Sequence, residues 1–287
     1  MREAGKPRGV ITGVLLLPTT LWFLFLLVMP LVVVVVFSFG ERAAAGGYAP
    51  AFTLAQYANL PARFTAFKNT LTLAPAGMIL CLIVAYPLAY YLALKASPRA
   101  KLLLLTLVIV PFWTSLLIRT YAWFTILGGR GLPALLESIG IEGVRLIYTP
   151  GAVLLGIVYG YLPLMVFPIF VSLERLDKGL LEASSDLGAN PLRTFLQVTL
   201  PLSAPGVITG GMLVFILLMG EFLNPALLGG GMVFFVGNAL VDLFLQSRNW
   251  AFGSAVAVTL VVIMLVTVTL YMRFTWRRMT TREVSLL

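Results

Sequence analysis

Residues 177–205, DKGLLEASSDLGANPLRTFLQVTLPLSAP, form a long polar insert with the pattern of helices, between two apolar stretches. Apolar and polar residues alternate at helical spacing up to Gly188, which suits the left-handed residue that ends a helix. Asn190 is a good cap for a second helix, and Pro191 then takes the first helical position, where proline is tolerated. We predict a helix, a break and a second helix that lie along a membrane surface. The second helix is predicted to place Leu192, Phe195 and Leu196 on one face, together with Thr199.

The composition predicts an integral membrane protein. Apolar residues make up 60% of the chain and charged residues 11%, whereas soluble domains carry about 25% charge. The chain has no histidine and one cysteine, Cys81, so we expect neither an intrachain disulfide nor a Cys/His metal site. It also has no G-x-x-x-x-G-K-[ST] motif for ATP. We therefore expect no catalytic residue, no metal site and no cofactor in this chain.

Several stretches are long and apolar enough to cross a bilayer, which takes about 20 residues. The six predicted spans are residues 10–39, 69–94, 102–127, 151–173, 206–228 and 251–272. The first is longer than the apolar region of a secretory signal, which has about 7–15 residues, so we expect it to stay attached. The predicted fold class is an all-α membrane protein, with residues 1–287 in a single transmembrane domain.

The distribution of basic residues predicts the orientation. With six spans, both termini, the turn around Pro98 and residues 177–205 lie on one side, and this side carries most of the Lys and Arg residues. Basic residues favour the cytoplasmic side, so we predict cytoplasmic termini and a cytoplasmic 177–205 segment. The formal net charge of +9 is then a signal of topology, and we expect no nucleic-acid partner.

Residues at fixed spacing in the 177–205 segment resemble the EAA loop of ABC importer permeases. The matching residues are Glu182-Ala183-Ser184, Gly188 and Val198-Thr199-Leu200-Pro201. The family pattern is E-A-A, three residues, G, nine residues, then I-x-L-P. The spacing agrees throughout, with Ser184 in place of the second alanine and Val198 in place of isoleucine. A generic amphipathic loop between two spans is the alternative interpretation.

The resemblance implies the type I importer permease fold: six transmembrane helices and a cytoplasmic coupling helix that fits a cleft in an ATPase subunit. The residues assigned to coupling are Glu182, Ala183, Ser184, Asp186, Gly188 and Pro201. The implied partners are an ABC ATPase dimer that binds ATP and Mg, a second related permease in a heterodimer, an extracytoplasmic solute-binding protein and membrane lipid. The implied location is the bacterial inner membrane, with multiple spans.

Phrases elsewhere resemble one branch of this family, the spermidine/putrescine permeases of the PotB type. They are VPFWTS at 110–115, LIRTYAW at 117–123, GEF at 220–222 and WAFGSA at 250–255. The similarity extends over nearly the whole chain and implies a polyamine as the solute. Permeases for ferric iron, thiamine, phosphonates and opines share part of these phrases, so other solutes stay open.

Two charged residues fall clearly inside predicted spans: Arg119 and Glu221. A charge within the membrane is costly and is a candidate functional residue. At about 1.5 Å per helical residue, both lie at a similar height in the outer half of the membrane. One interpretation is a salt bridge that braces spans three and five. The other places Glu221 on the transport path, where its carboxylate meets a cationic solute.

Aromatic residues near these charges can hold an ammonium group through cation–π contacts, or can anchor the chain at the interface. They are Trp113, Tyr121, Trp123, Tyr159 and Tyr161. Asp242, in an outer loop, either faces an incoming cation or is solvated. The candidate translocation path therefore consists of Glu221, Arg119, Trp113, Tyr121, Tyr159 and Asp242.

Two other classes of protein fit the sequence less well. An ion-coupled secondary transporter is expected to carry several carboxylates near the midplane, and this chain has one within its predicted spans. A membrane-embedded enzyme needs clustered catalytic groups, which a chain with no histidine and one cysteine does not supply.

Overall fold

A computed structural model of the chain describes residues 8–283. This part of the chain is helical, with connecting loops and no β-strand. It forms two compact units. The first unit contains the chain up to Ala62 together with Leu240–Val262, and the second contains Arg63–Ala239 together with the chain from Ile263 onward.

The helices are numbered in chain order. The first seven are α1 Arg8–Ser38, α2 Ala55–Ala58, α3 Phe64–Tyr90, α4 Pro98–Trp113, α5 Leu116–Leu127, α6 Leu132–Ser138 and α7 Pro150–Glu174. The others are α8 Lys178–Asp186, α9 Pro191–Thr194, α10 Leu200–Leu202, α11 Ala204–Met219, α12 Leu223–Leu228, α13 Val236–Val241 and α14 Trp250–Glu283. Residues Leu60–Arg63 form a 3-10 turn. There are also three π-helical turns, at Tyr91–Lys95, Phe195–Thr199 and Asp242–Gln246.

Length and composition identify the helices that can cross a membrane. Within the described residues, four helical stretches qualify alone: Leu15–Ser38, Leu60–Lys95, Pro150–Glu174 and Trp250–Arg273. Two bent pairs qualify together: Pro98–Trp113 with Leu116–Ser138, bent by 94°, and Pro191–Leu202 with Ala204–Met219, bent by 62°. Counting each pair as one span gives six, the number in the predicted fold class.

The helices in the regions of the predicted third and fifth spans are interrupted. Residues 102–127 divide into α4 and α5 because Thr114 and Ser115 have extended backbone conformations. Residues 206–228 divide into α11 and α12, with Gly220 and Glu221 between the helices. An average over apolar residues cannot detect a break made by one or two residues, so the sequence predicted continuous helices at both places.

The core of the second unit lies where α3, α7 and α11 meet. Its fully buried side chains include Ala74 and Cys81 of α3, Ile157, Met165 and Ile169 of α7, and Val214 and Leu218 of α11. Lipid chains are as apolar as these side chains, so van der Waals contact rather than the hydrophobic effect holds such helices together. This three-helix core carries the two sites described below.

The first unit combines α1 with loop residues and the start of α14. Phe37 stacks on Tyr48 with ring centroids 4.1 Å apart, and Arg42 Nη2 donates a hydrogen bond of 2.8 Å to the Ser247 carbonyl. The side chains of residues 15–31 are exposed all around α1. Because this stretch is predominantly apolar and carries no charge, its surface suits contact with lipid or with other spans.

Candidate coupling segment and translocation site

The first helix of the 177–205 segment begins and ends at residues with capping chemistry. Asp177 Oδ1 accepts a hydrogen bond of 2.9 Å from the Gly179 amide at the start of α8. Gly188 follows the helix with φ of 79°, which confirms the predicted left-handed residue. The Ala189 amide donates back to the Ser184 carbonyl over 3.1 Å, so this turn satisfies a carbonyl at the end of the helix.

The second helix begins as predicted. Asn190 Oδ1 accepts a hydrogen bond of 2.8 Å from the Arg193 amide, and Pro191 is the first residue of α9. The helix then continues through the π-helical turn Phe195–Thr199 into α10. The hydroxyls of Ser184 and Thr194 are 3.0 Å apart and join the two helices across the Gly188 turn.

The prediction that Leu192, Phe195 and Leu196 share one face is wrong. The Phe195 ring packs edge-on against Tyr86 and Tyr90 of α3, with centroid distances of 5.6 and 6.0 Å. Leu192 and Leu196 point outward, with 65% and 51% of their surface exposed. A π-helical turn contains an extra residue compared with an α-helical turn, so the regular helical spacing does not hold here.

The residues assigned to coupling lie mostly on the outside of the segment. Glu182, Ala183, Asp186 and Gly188 are exposed, whereas Ser184 and Pro201 are half-buried. Leu187 is 89% exposed beside them. Leu192 and Leu196 of the same segment are also exposed, and exposed apolar side chains are candidates for an interaction site.

The end of the segment is fixed to the membrane-spanning core. Thr199 and Ser203 are buried, and the Ser203 hydroxyl lies 2.8 Å from the Tyr86 hydroxyl of α3. Ser203 and the ring of Phe195 are therefore the points at which the segment contacts α3.

The second site surrounds Glu221, in the break between α11 and α12. Its side chain is 4% exposed. Oε1 accepts hydrogen bonds from the Leu223 amide at 2.8 Å and the Asn224 amide at 3.1 Å, and Oε2 accepts one from the Tyr161 hydroxyl of α7. The carboxylate thus satisfies amides at the start of α12, which would otherwise have no partner within the helix.

One interpretation predicted a direct ion pair between Arg119 of α5 and Glu221. The described part of the chain contains no such pair. The guanidinium carbon lies 5.7 Å from the centre of the Phe112 ring and 6.0 Å from that of Tyr159. Arg119 is 9% exposed, and its Nε is buried without a hydrogen-bond partner. The cation is therefore held between aromatic rings.

The short helix α12 is held from two other directions. Asn224 Oδ1 accepts a hydrogen bond of 3.2 Å from the Thr120 hydroxyl, and Asn238 Nδ2 donates one of 2.8 Å to the Phe222 carbonyl. Gly237 packs on the backbone of the break: a Cβ there would lie 2.5 Å from the Glu221 carbonyl oxygen. At Gly156 of α7, a Cβ would lie 2.6 Å from Asn224 Oδ1, so glycine allows α12 to approach α7.

The other predicted path residues are placed differently. Tyr159 contacts Arg119 and also packs edge-on against Trp123 at 5.7 Å. Trp113 and Tyr121 are 84% and 50% exposed. Asp242 belongs to the first compact unit, where its carbonyl accepts a hydrogen bond of 2.8 Å from the Ser247 amide.

Some residues of the Glu221 site were absent from the predicted path. Tyr161 was considered only as one of the cavity-lining aromatic residues, and its hydrogen bond to Glu221 was not predicted. Asn224 and Asn238 were not among the candidate site residues. Each is a polar residue in an apolar stretch, and a search for buried hydrogen-bonding side chains would have identified both.

Comparisons with known proteins agree with this architecture. Residues 85–279 match a family model described as binding-protein-dependent transport system inner membrane component. The chain is 41% identical over 257 residues to the spermidine/putrescine transport system permease protein PotB of Haemophilus influenzae, covering 88% of this chain and 90% of that protein. It is 38% identical over 257 residues to the PotB protein of Escherichia coli K12, covering 88% and 93%.

Two solved structures share the fold. A chain of a bacterial ABC transporter that imports the polysaccharide alginate aligns with a TM-score of 0.76 and 19% identity, over 94% of this chain and 96% of that one. A chain of the MetNI methionine ABC transporter aligns with a TM-score of 0.52 and 17% identity, over 75% and 94%. The fold is thus that of type I ABC importer permeases. The chain is a multi-pass inner-membrane protein, and it belongs to the family of binding-protein-dependent transport system inner membrane components.

Proposed function

We propose that this chain is the permease subunit of an ATP-driven ABC importer for the polyamines spermidine and putrescine. The observation that carries the proposal is the 41% identity to a spermidine/putrescine permease, which covers 88% of this chain. In this proposal an extracytoplasmic binding protein delivers the solute. The chain itself carries no catalytic residue.

The proposed assembly contains a second, related permease and a dimer of ABC ATPase subunits. ATP and Mg bind to the ATPase subunits, and both termini of this chain lie in the cytoplasm with the 177–205 segment. The exposed leucines of the segment support this arrangement. Leu187 is 89% exposed at the break between the two short helices, where a cleft on another protein can receive it.

The proposed coupling uses contacts already described. Closure of the ATPase dimer displaces α8, whose residues Glu182, Ala183 and Asp186 face outward. The Ser184–Thr194 hydrogen bond transfers this displacement to α9, and Phe195 transfers it to α3. The spans then change between inward- and outward-facing states, an equilibrium that docking of the binding protein also biases.

The proposed path divides the candidate residues by exposure. The open rings of Trp113, Tyr121 and Tyr159 suit contact with an ammonium group, and Asp242 is a proposed carboxylate on the outer side. Glu221 is 4% exposed and its carboxylate accepts three hydrogen bonds, which supports a bracing role in this conformation. Arg119, held between rings, braces the same region.

The solute is tested by ATPase activity of the complete importer in liposomes, with its binding protein. Spermidine, putrescine, ferric iron, thiamine, a phosphonate and an opine are added one at a time. Stimulation and uptake with the polyamines alone are the expected result. Stimulation by another solute overturns the polyamine assignment while keeping the importer class.

Coupling is tested with Leu187→Asp, which places a charge on the exposed apolar surface. The matched control is Ile139→Asp, because Ile139 is also strongly exposed, at 71%, but follows α6. We expect Leu187→Asp to abolish co-purification of the ATPase subunits and Ile139→Asp to leave it unchanged. Equal retention of the ATPase by both variants would contradict the coupling assignment.

A further inference from the structure

Both oxygens of the Glu221 carboxylate are engaged by neutral donors. Two backbone amides of α12 bind Oε1, and the Tyr161 hydroxyl binds Oε2. The amides belong to the same short stretch of chain as Glu221. Tyr161 is the donor that comes from a different helix, α7, so it fixes the carboxylate relative to the core.

The candidate counter-charge, Arg119, forms no ion pair with a described residue. Arg119 is buried, its Nε has no hydrogen-bond partner, and its guanidinium rests on the rings of Phe112 and Tyr159. The next residue, Thr120, donates a hydrogen bond of 3.2 Å to Asn224 Oδ1, which places this part of α5 beside α12. Opposite charges in an apolar surrounding attract strongly, so other bonds must keep the carboxylate away from this cation.

We infer that Tyr161 is a positioning residue of the transport cycle: its hydrogen bond holds Glu221 over the start of α12 and withholds it from Arg119. This inference rests on the proposed function. When the Tyr161 bond is broken, the carboxylate moves to Arg119 and the amides of Leu223 and Asn224 lose their acceptor. The hydrogen bond from Tyr161 therefore stabilises one of two alternative positions of Glu221.

Breaking this bond affects the start of α12 because the carboxylate also accepts the hydrogen bonds of the Leu223 and Asn224 amides. Gly237 packs against the Glu221 carbonyl, and Asn238 binds the Phe222 carbonyl over 2.8 Å. The Phe222 side chain is 46% exposed at this point. Movement of Glu221 thus loosens the junction of α11 and α12 and changes the surroundings of Phe222.

The test is a double-mutant cycle on basal ATPase activity of the complete importer, measured without solute. Arg119→Gln, Glu221→Gln and the double variant are compared in the unsubstituted protein and in Tyr161→Phe. In the unsubstituted protein the two effects should multiply to within about twofold. With Tyr161→Phe they should depart from multiplication by about fivefold or more, because the ion pair has formed.

The inference is overturned if the effects of Arg119→Gln and Glu221→Gln on ATPase activity are equally coupled in the unsubstituted protein and in Tyr161→Phe. It is also overturned if they are coupled in neither. A purely structural role for Tyr161 lowers activity without creating coupling between Arg119 and Glu221. The matched control is Tyr91→Phe, since Tyr91 is 47% exposed and has no hydrogen bond from its hydroxyl within the described residues. With Tyr91→Phe, the effects of Arg119→Gln and Glu221→Gln should still multiply, as they do in the unsubstituted protein.

The cycle in the unsubstituted protein is informative even if Tyr161→Phe fails to assemble, because strong coupling between Arg119 and Glu221 there overturns the inference. The junction is followed by maleimide labelling of Phe222→Cys, for which the chain's own Cys81 is buried. Labelling should be about fivefold faster with Tyr161→Phe. An unchanged rate would contradict loosening of α12.

Basal ATPase activity and labelling do not depend on the identity of the solute. A failed polyamine assignment therefore leaves this test intact, and a failed cycle leaves the polyamine assignment intact. The two proposals are decided separately.

Discussion

The hydroxyl groups of Tyr86 and Ser203 lie 2.8 Å apart in a buried hydrogen bond that joins α3 to the turn before α11. Ser203 has a second bond, in which its hydroxyl donates to the Leu200 carbonyl over 3.1 Å. Removing the Ser203 hydroxyl therefore leaves the Tyr86 hydroxyl without its partner, whereas removing the Tyr86 hydroxyl leaves Ser203 bonded to Leu200. This asymmetry leads to the first prediction.

Ser203→Ala should destabilise the protein more than Tyr86→Phe. The alanine variant leaves the buried Tyr86 hydroxyl without a partner, which costs about 1–3 kcal/mol, whereas Tyr86→Phe loses a hydrogen bond worth about 0.5–1.5 kcal/mol and leaves Ser203 bonded to Leu200. The free energy of unfolding in detergent measures the difference. The double variant should resemble Tyr86→Phe alone, and equal effects of the two single variants would contradict this account.

Phe195→Ala should uncouple ATP hydrolysis from transport. The substitution removes the ring that contacts Tyr86 and Tyr90, while the exposed leucines at 187 and 192 are unchanged. We expect the ATPase subunits to bind normally and the solute transported per ATP to fall. Uptake and hydrolysis are measured together in liposomes. Leu196→Ala is the neighbouring control because Leu196 points outward, and loss of coupling in this control alone would contradict the assignment.

Substitutions of Gly188 should follow the cost of a left-handed backbone. Its φ is 79°, and a Cβ there would meet nothing within 4 Å, so conformation and not space limits the residue. We expect Gly188→Ala to lower the free energy of unfolding by about 1–2 kcal/mol. Gly188→Asn should cost less and Gly188→Val more, since asparagine tolerates this conformation and a β-branched residue does not. An alanine variant as stable as the parent would contradict this interpretation.

Gly156→Ala should displace α12. An added Cβ would lie 2.5 Å from Leu228 Cδ1 and 2.6 Å from Asn224 Oδ1, and overpacking of this kind costs about 1–3 kcal/mol. Gly151→Ala is the control in the same helix, because its nearest contact is Thr149 Oγ1 at 3.7 Å. Thermal unfolding of the two purified variants provides the comparison, and indistinguishable midpoints would show that α12 accommodates the methyl group.

The ends of the helices in the 177–205 segment could be predicted from the sequence. Gly188, Asn190 and Pro191 each have a backbone or capping preference that acts within a few residues, so the break and the start of the second helix were predicted correctly. The direction of the Phe195 side chain was not predicted correctly. Its ring packs against Tyr86 of α3, and that contact joins parts of the chain far apart in sequence.

The amino-acid sequence alone determined a polytopic α-helical chain with a polar coupling segment, because apolar composition and short-range caps act within single helices. Only the tertiary structure decided which group engages Glu221. Tyr161 lies 60 positions away in the chain, and its pairing depends on how α7 meets the break after α11. Spacing along one helix carries no information on the distance to another, so the sequence offered Arg119 as one possible partner, and the structure shows Tyr161 in that place.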